Sequence, residues 1–175
     1  MLARPDTLRA ISSRHPDLRR LFKAVEEMAS STRELLGEEL LAWLGSLPRR
    51  HTSKELSLVH GTPESPWVAP APDASDGDLE AIYRFLGSSL AVYGHIHRPF
   101  VRGLRGLTAE NSGSVGLPYN GDPRASYLPV SDHAVAVRRV EYDVDAEVRC
   151  LVCSRLPNAG WVATLLKSAS FRTPE

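Results

Sequence analysis

Residues 93–127 read YGHIHRPFVRGLRGLTAENSGSVGLPYNGDPRASY, and the reading of this stretch decides the fold. Its front end, Gly94-His95-Ile96-His97, comes directly after the apolar run Leu90-Ala91-Val92-Tyr93. That order predicts a buried strand ending at a glycine, with two imidazoles presented at its exit. Glycine lets the backbone turn sharply and removes the side chain that would crowd a bound ion. Histidines at i and i+2 leaving a strand reach two points a few ångströms apart, which suits a pair of metal ions ~3.5–4 Å from each other. A third imidazole, His60, stands earlier in Leu56-Ser57-Leu58-Val59-His60-Gly61-Thr62-Pro63, again an apolar run leading to histidine and glycine.

Taken together, VHGTP (59–63), GHIHRPF (94–100) and NSGSVGLPYNGDPRASY (111–127) resemble the C-terminal half of a calcineurin-like metallophosphoesterase, in the order of that family. The resemblance is good over about residues 35–142 and looser on the flanks. It implies an α/β (α+β) fold: an incomplete four-layer αββα metallophosphoesterase sandwich, with helices flanking two packed sheets. It also implies phosphoester hydrolysis by a hydroxide activated between two divalent ions (Mn, Fe, Ni or Zn). By position, His60 and His95 match ligands of the second metal and His97 a ligand of the first. Asn111 to Gly116 match the turn after the histidine-bearing strand, where many members have proline in place of Ser112.

Members of that family open with Asp-x-His, Gly-Asp and Gly-Asn-His-Asp, and this chain contains none of the three. It reads as N-terminally truncated, beginning in what resembles the helical segment just after Gly-Asn-His-Asp. Three imidazoles supply only nitrogen, and a bridging oxygen has to come from elsewhere. The expectation is that the 175 residues alone are inactive. Their partners are then a phosphoester small molecule or phosphoprotein, and a partner polypeptide or upstream segment that completes the fold. The alternative is a non-catalytic protein-binding scaffold, like the retromer-type relatives, or a relic fragment on the same fold.

Other residues bear on the site. Asn111 either orients a ligand or substrate, or bonds its own backbone as turn residues do. Arg124 meets phosphate or, the preferred reading, pairs with Asp122. Asp122 and Glu64 lie near the motifs but match no family ligand. No catalytic residue emerges beyond the metal ligands. His15, His51 and His133 have polar or turn contexts and read as surface residues.

Composition sets the class. With 21 Lys+Arg against 21 Asp+Glu there is no basic field to recruit nucleic acid. A hydrophobic content of 42% and a charged content of 24% are ordinary for a globular protein of one domain. No apolar run approaches the ~18 residues of a membrane span, and Met1 opens no signal-like pattern, so the expected location is cytoplasmic. Cys150 and Cys153 lack the second pair or thioredoxin-like context that zinc or redox chemistry needs, and read as small residues on a helix.

The expected organisation is helical over 1–48, an α/β core with the motifs over 49–142, and C-terminal helices over 143–175. Helices are predicted from Pro5, from Pro16 through Met28, and from Ser31 or Glu38 to Pro48. The leucine and tryptophan stripe of the last (Leu35, Leu36, Leu40, Leu41, Trp43, Leu44) reads as core. Lys54–His60 is a predicted strand, and 62–78 a Pro- and Asp-rich surface loop. Trp67 in that loop either folds over a site mouth or anchors the loop, and the anchor is preferred. Asp76 or Asp78 caps a helix over Leu79–Leu86 that Gly87 ends. Next comes a hairpin across Arg105-Gly106, and a second antiparallel pair joins Arg124–Val130 to Ala134–Tyr142.

Overall fold

A computed structural model of the chain describes residues 16–131 and 134–175. The helix expected from Pro5, together with His15 and His133, lies outside the described residues. In chain order the elements are α1 (Arg19–Ser46), β1 (Arg50–Thr52), β2 (Leu56–Val59), α2 (Asp76–Tyr83), β3 (Leu90–Tyr93), β4 (Phe100–Leu104) and β5 (Leu107–Asn111). After them come β6 (Ala125–Tyr127), β7 (Val130–Ser131), β8 (Ala134–Val135), β9 (Arg138–Val140), α3 (Val144–Cys153) and α4 (Ala159–Ser168). The architecture is mixed α/β, as the motifs imply. No described helix is long and apolar enough to cross a membrane.

The chain divides into two compact units, one holding the flanking helices and the other Pro48–Tyr142 with Ser168–Ser170. In the helical unit, α1 runs on through Ser31, where Thr32 bonds back to the Met28 carbonyl at 2.8 Å. The interruption falls at Gly37 (φ 71°, ψ 171°), a left-handed conformation that glycine adopts without a Cβ penalty. Of the two expected starting points for the next helix, Glu38 is therefore the one that matches. The stripe read as core is corrected: Leu35 is 80% and Trp43 57% exposed, and burial concentrates instead on Ala24 and on Val162, Ala163, Leu165 and Leu166. Cys150 and Cys153 are free and exposed on α3.

The second unit is built on a five-stranded sheet of order β1-β2-β3-β5-β4. Strands β2, β3 and β5 are parallel, while β1 and β4 pair antiparallel at the two edges. The polar edge strand β1 was not anticipated. On one face the alternating residues Ala91, Tyr93, Leu107 and Ala109 pack with Leu79 and Tyr83 of α2. Fully burying a side chain of this size contributes roughly 1.5–3 kcal/mol. Helix α2 is capped by Ser75, just upstream of the expected aspartates, whose hydroxyl accepts from the Asp78 N–H at 3.1 Å. It passes through a 3-10 turn to Gly87, left-handed at φ 76°.

The two core tyrosines also fix the long loop before α2. Their rings stack at 5.0 Å. Tyr83 donates its hydroxyl to the Gly61 carbonyl (3.0 Å) and Tyr93 to that of Pro70 (3.1 Å). From β4, Arg102 reaches the carbonyls of Pro72 and Ala74, both at 2.5 Å. A loop that looked like plain surface is therefore held by three side chains rooted in the sheet and its core.

The opposite face carries Leu56, Leu58, Val92 and Val101. A groove of about 370 Å³ opens there between the sheet and the segment from Ser112 to Val130. Leu58 is 40% and Val101 44% exposed. By strand alternation Glu110, paired across to Val92 and Val101, points to this same side. It is fully buried, and neither carboxyl oxygen has a hydrogen-bond partner among the described residues.

Burial raises the Glu110 carboxyl from 4.5 to about 7. The folded chain therefore binds this proton more tightly than the unfolded chain does. The contribution is whole below pH 4.5 and is lost as pH rises through 7, which amounts to roughly 3 kcal/mol by pH 8. Urea unfolding at pH 5 and pH 8 checks this. The wild-type chain is expected to lose stability between the two, and Glu110→Val, which matches its valine neighbours, to remove that loss.

Candidate metal centre

The sheet register places the histidines. Val59, Tyr93 and Asn111, the last residues of β2, β3 and β5, form one in-register row. The next residues, His60, Gly94 and Ser112, therefore leave the sheet side by side at the carboxyl ends of three parallel strands. That end is where open α/β sheets present their ligand sites. The turn is fixed from both sides: Gly94 N–H donates to the His60 carbonyl (3.0 Å), and Asn111 Nδ2 donates to the Gly94 carbonyl (2.6 Å). A Cβ on Gly94 would lie 3.7 Å from Nδ1 of His60, so the two strand exits are in van der Waals contact.

Beyond Gly94 the backbone is strained. His95 (φ 66°) and His97 (φ 56°) both occupy the left-handed region, at a cost of roughly 1–2 kcal/mol for each non-glycine residue. The strain is held by Ile96 N–H on the Gly94 carbonyl (2.8 Å) and Tyr119 N–H on the His97 carbonyl (3.0 Å). The zigzag swings the His95 ring against His60, edge to face with centroids 5.4 Å apart.

One of the rings is oriented by backbone. His97 Nδ1 lies 2.7 Å from the Leu117 carbonyl, and Tyr119 stacks on the same ring at 4.9 Å. A carbonyl only accepts, so Nδ1 carries the proton and Nε2 is left as the free ring nitrogen. A second partner of this kind orients a metal-ligating histidine and sets its tautomer. The Trp67 backbone acts to raise the pKa of the His95 ring, against the burial that lowers it. Burial lowers the pKa of His60, helped by the charge of His97, and lowers that of His95, helped by His60 and His97. Both shifts favour neutral imidazole, the form that binds a metal.

Oxygen donors are what the centre lacks. Among the described residues no group of three or more His, Cys, Asp or Glu side chains, the three imidazoles included, is gathered to hold an ion. Asp122 is occupied by Arg124 (2.7 Å) and Arg139 (3.1 Å), and the bond from Arg124 holds its carboxyl down at about 2. Arg124 is thus in the ion pair the sequence favoured. Glu64 and His51 are exposed. Asn111 is fully buried with both ends of its amide in use, on the Gly94 carbonyl and on the Gly113 N–H (2.9 Å). It positions the histidine turn from within. The contributions of Leu117, Tyr119 and the Trp67 backbone were not legible, because they arise from chain crossings rather than from motif spacing.

Strain and pinning are separable by mutation. His95→Gly and His97→Gly relieve the left-handed conformation and are expected to unfold at higher denaturant than the matching alanine variants, by roughly 1 kcal/mol each. Asn111→Ala strands the Gly94 carbonyl and the Gly113 N–H and is expected to cost about 1–3 kcal/mol in the same measurement.

No protein-family model and no curated protein matches the chain. Among solved structures it is similar to a metallophosphoesterase from Sphaerobacter thermophilus, with a TM-score of 0.69 and 26% identity, over 81% of this chain and 67% of that one. It is also similar to the hypothetical protein PH1004 from Pyrococcus horikoshii OT3, with a TM-score of 0.73 and 22% identity, over 85% of this chain and 62% of that one. The chain spans about two thirds of the length of these structures. Its three histidine motifs and this likeness agree on the fold, which is that of the calcineurin-like metallophosphoesterases.

Proposed function

We propose that this chain carries the imidazole half of a metal-dependent phosphoester hydrolase. The observation that supports the reading best is that the in-register ends of β2 and β3 bring the His60 and His95 rings into edge contact, with the His97 ring, two residues further on, fixed by the Leu117 carbonyl. His60 and His95 are assigned to one divalent ion and His97 to its neighbour. When bound, such ions supply Lewis-acid polarisation of phosphoryl oxygens and lower the pKa of water. The chain's own part is to present ring nitrogens, that of His97 in a fixed tautomer, and to hold the turn rigid through Asn111 and Gly94. Mn²⁺, Fe²⁺, Ni²⁺ and Zn²⁺ all suit imidazole, and the nitrogen-only donor set does not choose among them.

Carboxylate ligands then come from polypeptide beyond the described residues, an upstream segment or a partner chain. On this account the 175 residues alone bind metal without turning over. A second reading, a non-catalytic binding module on the same fold, is favoured by the absence of a gathered group of three ligands among the described residues.

Calorimetric titration of the purified chain with Mn²⁺, beside an assay with a chromogenic phosphodiester, tests both. The expected result is saturable Mn²⁺ binding that His95→Ala weakens by at least about tenfold, with no hydrolysis above background. Absence of binding, or binding indifferent to His95→Ala, contradicts the metal centre. Hydrolysis that is lost in His95→Ala contradicts the inactivity of the isolated chain.

A further inference from the structure

The two cysteines of the chain stand together at the end of α3, outside everything the metal centre uses. Cys150 and Cys153 are both free and both exposed. A small residue is useful in a helix where another element packs on it, but the half-buried positions of α3 are Val144, Ala146, Val148 and Leu151. The expected helix is there, and packing is not what the thiols are for. The turn that carries them is drawn toward 3-10 form. Ser154 N–H bonds the carbonyls of both Cys150 (2.9 Å) and Leu151 (3.2 Å), and its hydroxyl donates to the Leu151 carbonyl at 2.6 Å. Ser154 has φ −68° and ψ −14°, and Arg155 after it turns left-handed at φ 60°. Sharing one N–H between the i−4 and i−3 carbonyls is a common helix ending, and in a full 3-10 turn side chains at i and i+3 eclipse.

Cα atoms three residues apart in a helix are about 5 Å from each other, within the roughly 4.4–6.8 Å that disulfides span. Their Cβ atoms are about 5–6 Å apart, against roughly 3.5–4.5 Å in a disulfide. The tightening at Ser154 acts in the direction that closes this gap. Whatever gap remains is strain in the oxidised pair, and strain together with exposure makes such a bond easily reduced. Two thiols leave a zinc tetrahedron half empty, and among the described residues no third His, Cys, Asp or Glu is gathered with them to hold an ion. Exchange with another disulfide is the chemistry that two neighbouring thiols complete.

We propose that Cys150 and Cys153 form a thiol–disulfide exchange site for small disulfides of the glutathione class. In the first step one cysteine, as thiolate, attacks a sulfur of the small disulfide, forming a mixed disulfide and releasing one small thiol. In the second, the other cysteine attacks the protein sulfur of that bond, closing Cys150 to Cys153 and releasing the second small thiol. The two cysteines are oxidised, the small disulfide is reduced, and the two protons that the cysteines lose go to the released thiols. An excess of small thiol runs the same steps backwards. The proposal is independent of the phosphoesterase reading and of metal binding.

The test is mass spectrometry of the whole 175-residue chain, reduced and then incubated with glutathione disulfide. The wild type is expected to become two hydrogens lighter, with the loss confined to the peptide that carries both cysteines. Glutathione adducts are expected on less than about a tenth of it, because the second thiol attacks at a high effective concentration. Cys150→Ser and Cys153→Ser are each expected to keep one glutathione as a mixed disulfide, with unfolding midpoints equal to that of the reduced wild type. Excess reduced glutathione is expected to restore both thiols. Wild-type protein that retains glutathione on either cysteine, that links chain to chain, or that does not react overturns the proposal. So does a closed pair that excess reduced glutathione leaves intact.

Discussion

The register of three parallel strands is the constraint on which the rest depends. Val59, Tyr93 and Asn111 end their strands in one row, so the residues after them must emerge together. Those residues are His60, Gly94 with His95, and the Ser112-Gly113 turn. Neighbouring strands lie ~4.8 Å apart, which is already the scale of a coordination shell. A one-residue slip of β3 against β2 would turn Tyr93 out of the core and carry the histidines away from each other. The burial of Tyr93 against Tyr83 therefore fixes the fold and the site at once.

Around that row the structure gives up local stability for position. His95 and His97 both sit in left-handed backbone, and a fully buried asparagine is given over to holding their turn. Non-glycine strain of this sort persists where surrounding contacts over-determine it, and such places are commonly functional. The same logic applies to the loop over Gly61, which is tied by the core tyrosines yet leaves Trp67, read from sequence as its anchor, 54% exposed. Rigid backbone under exposed or strained side chains is the common feature of this end of the sheet.

Much of this was legible in the sequence, for physical reasons that differ by element. Leu90–Tyr93 is an apolar run closed by a glycine, and Arg105-Gly106 joins two runs of strand length, so β3 was predicted to the residue and the β4–β5 hairpin at its turn. The histidine motifs gave the three rings, although spacing alone said nothing of how they would be oriented. Strand β1 was missed because Arg50-His51-Thr52 is a polar edge with no apolar alternation. The capping residue of α2 was misplaced because two aspartates stand just after Ser75 and any of the three suits a helix start. The leucines of α1 carry a helical apolar period that reads as core, and the described structure leaves Leu35, Leu40, Trp43 and Leu44 exposed. Glu110 gives no signal of its burial because its neighbours in sequence, Ala109 and Asn111, are small or polar. That burial comes from β3 and β4 beside it.

The central claim, that the strand register makes one centre of three imidazoles, is tested most directly by nuclear magnetic resonance of the ¹⁵N-labelled histidine rings during titration with Zn²⁺. The expected result is that the ring signals of His60, His95 and His97 change together at low Zn²⁺, with the His97 proton retained on Nδ1 throughout and His51 unmoved. Rings that respond independently, or a His60 that does not respond while the other two do, would contradict the claim.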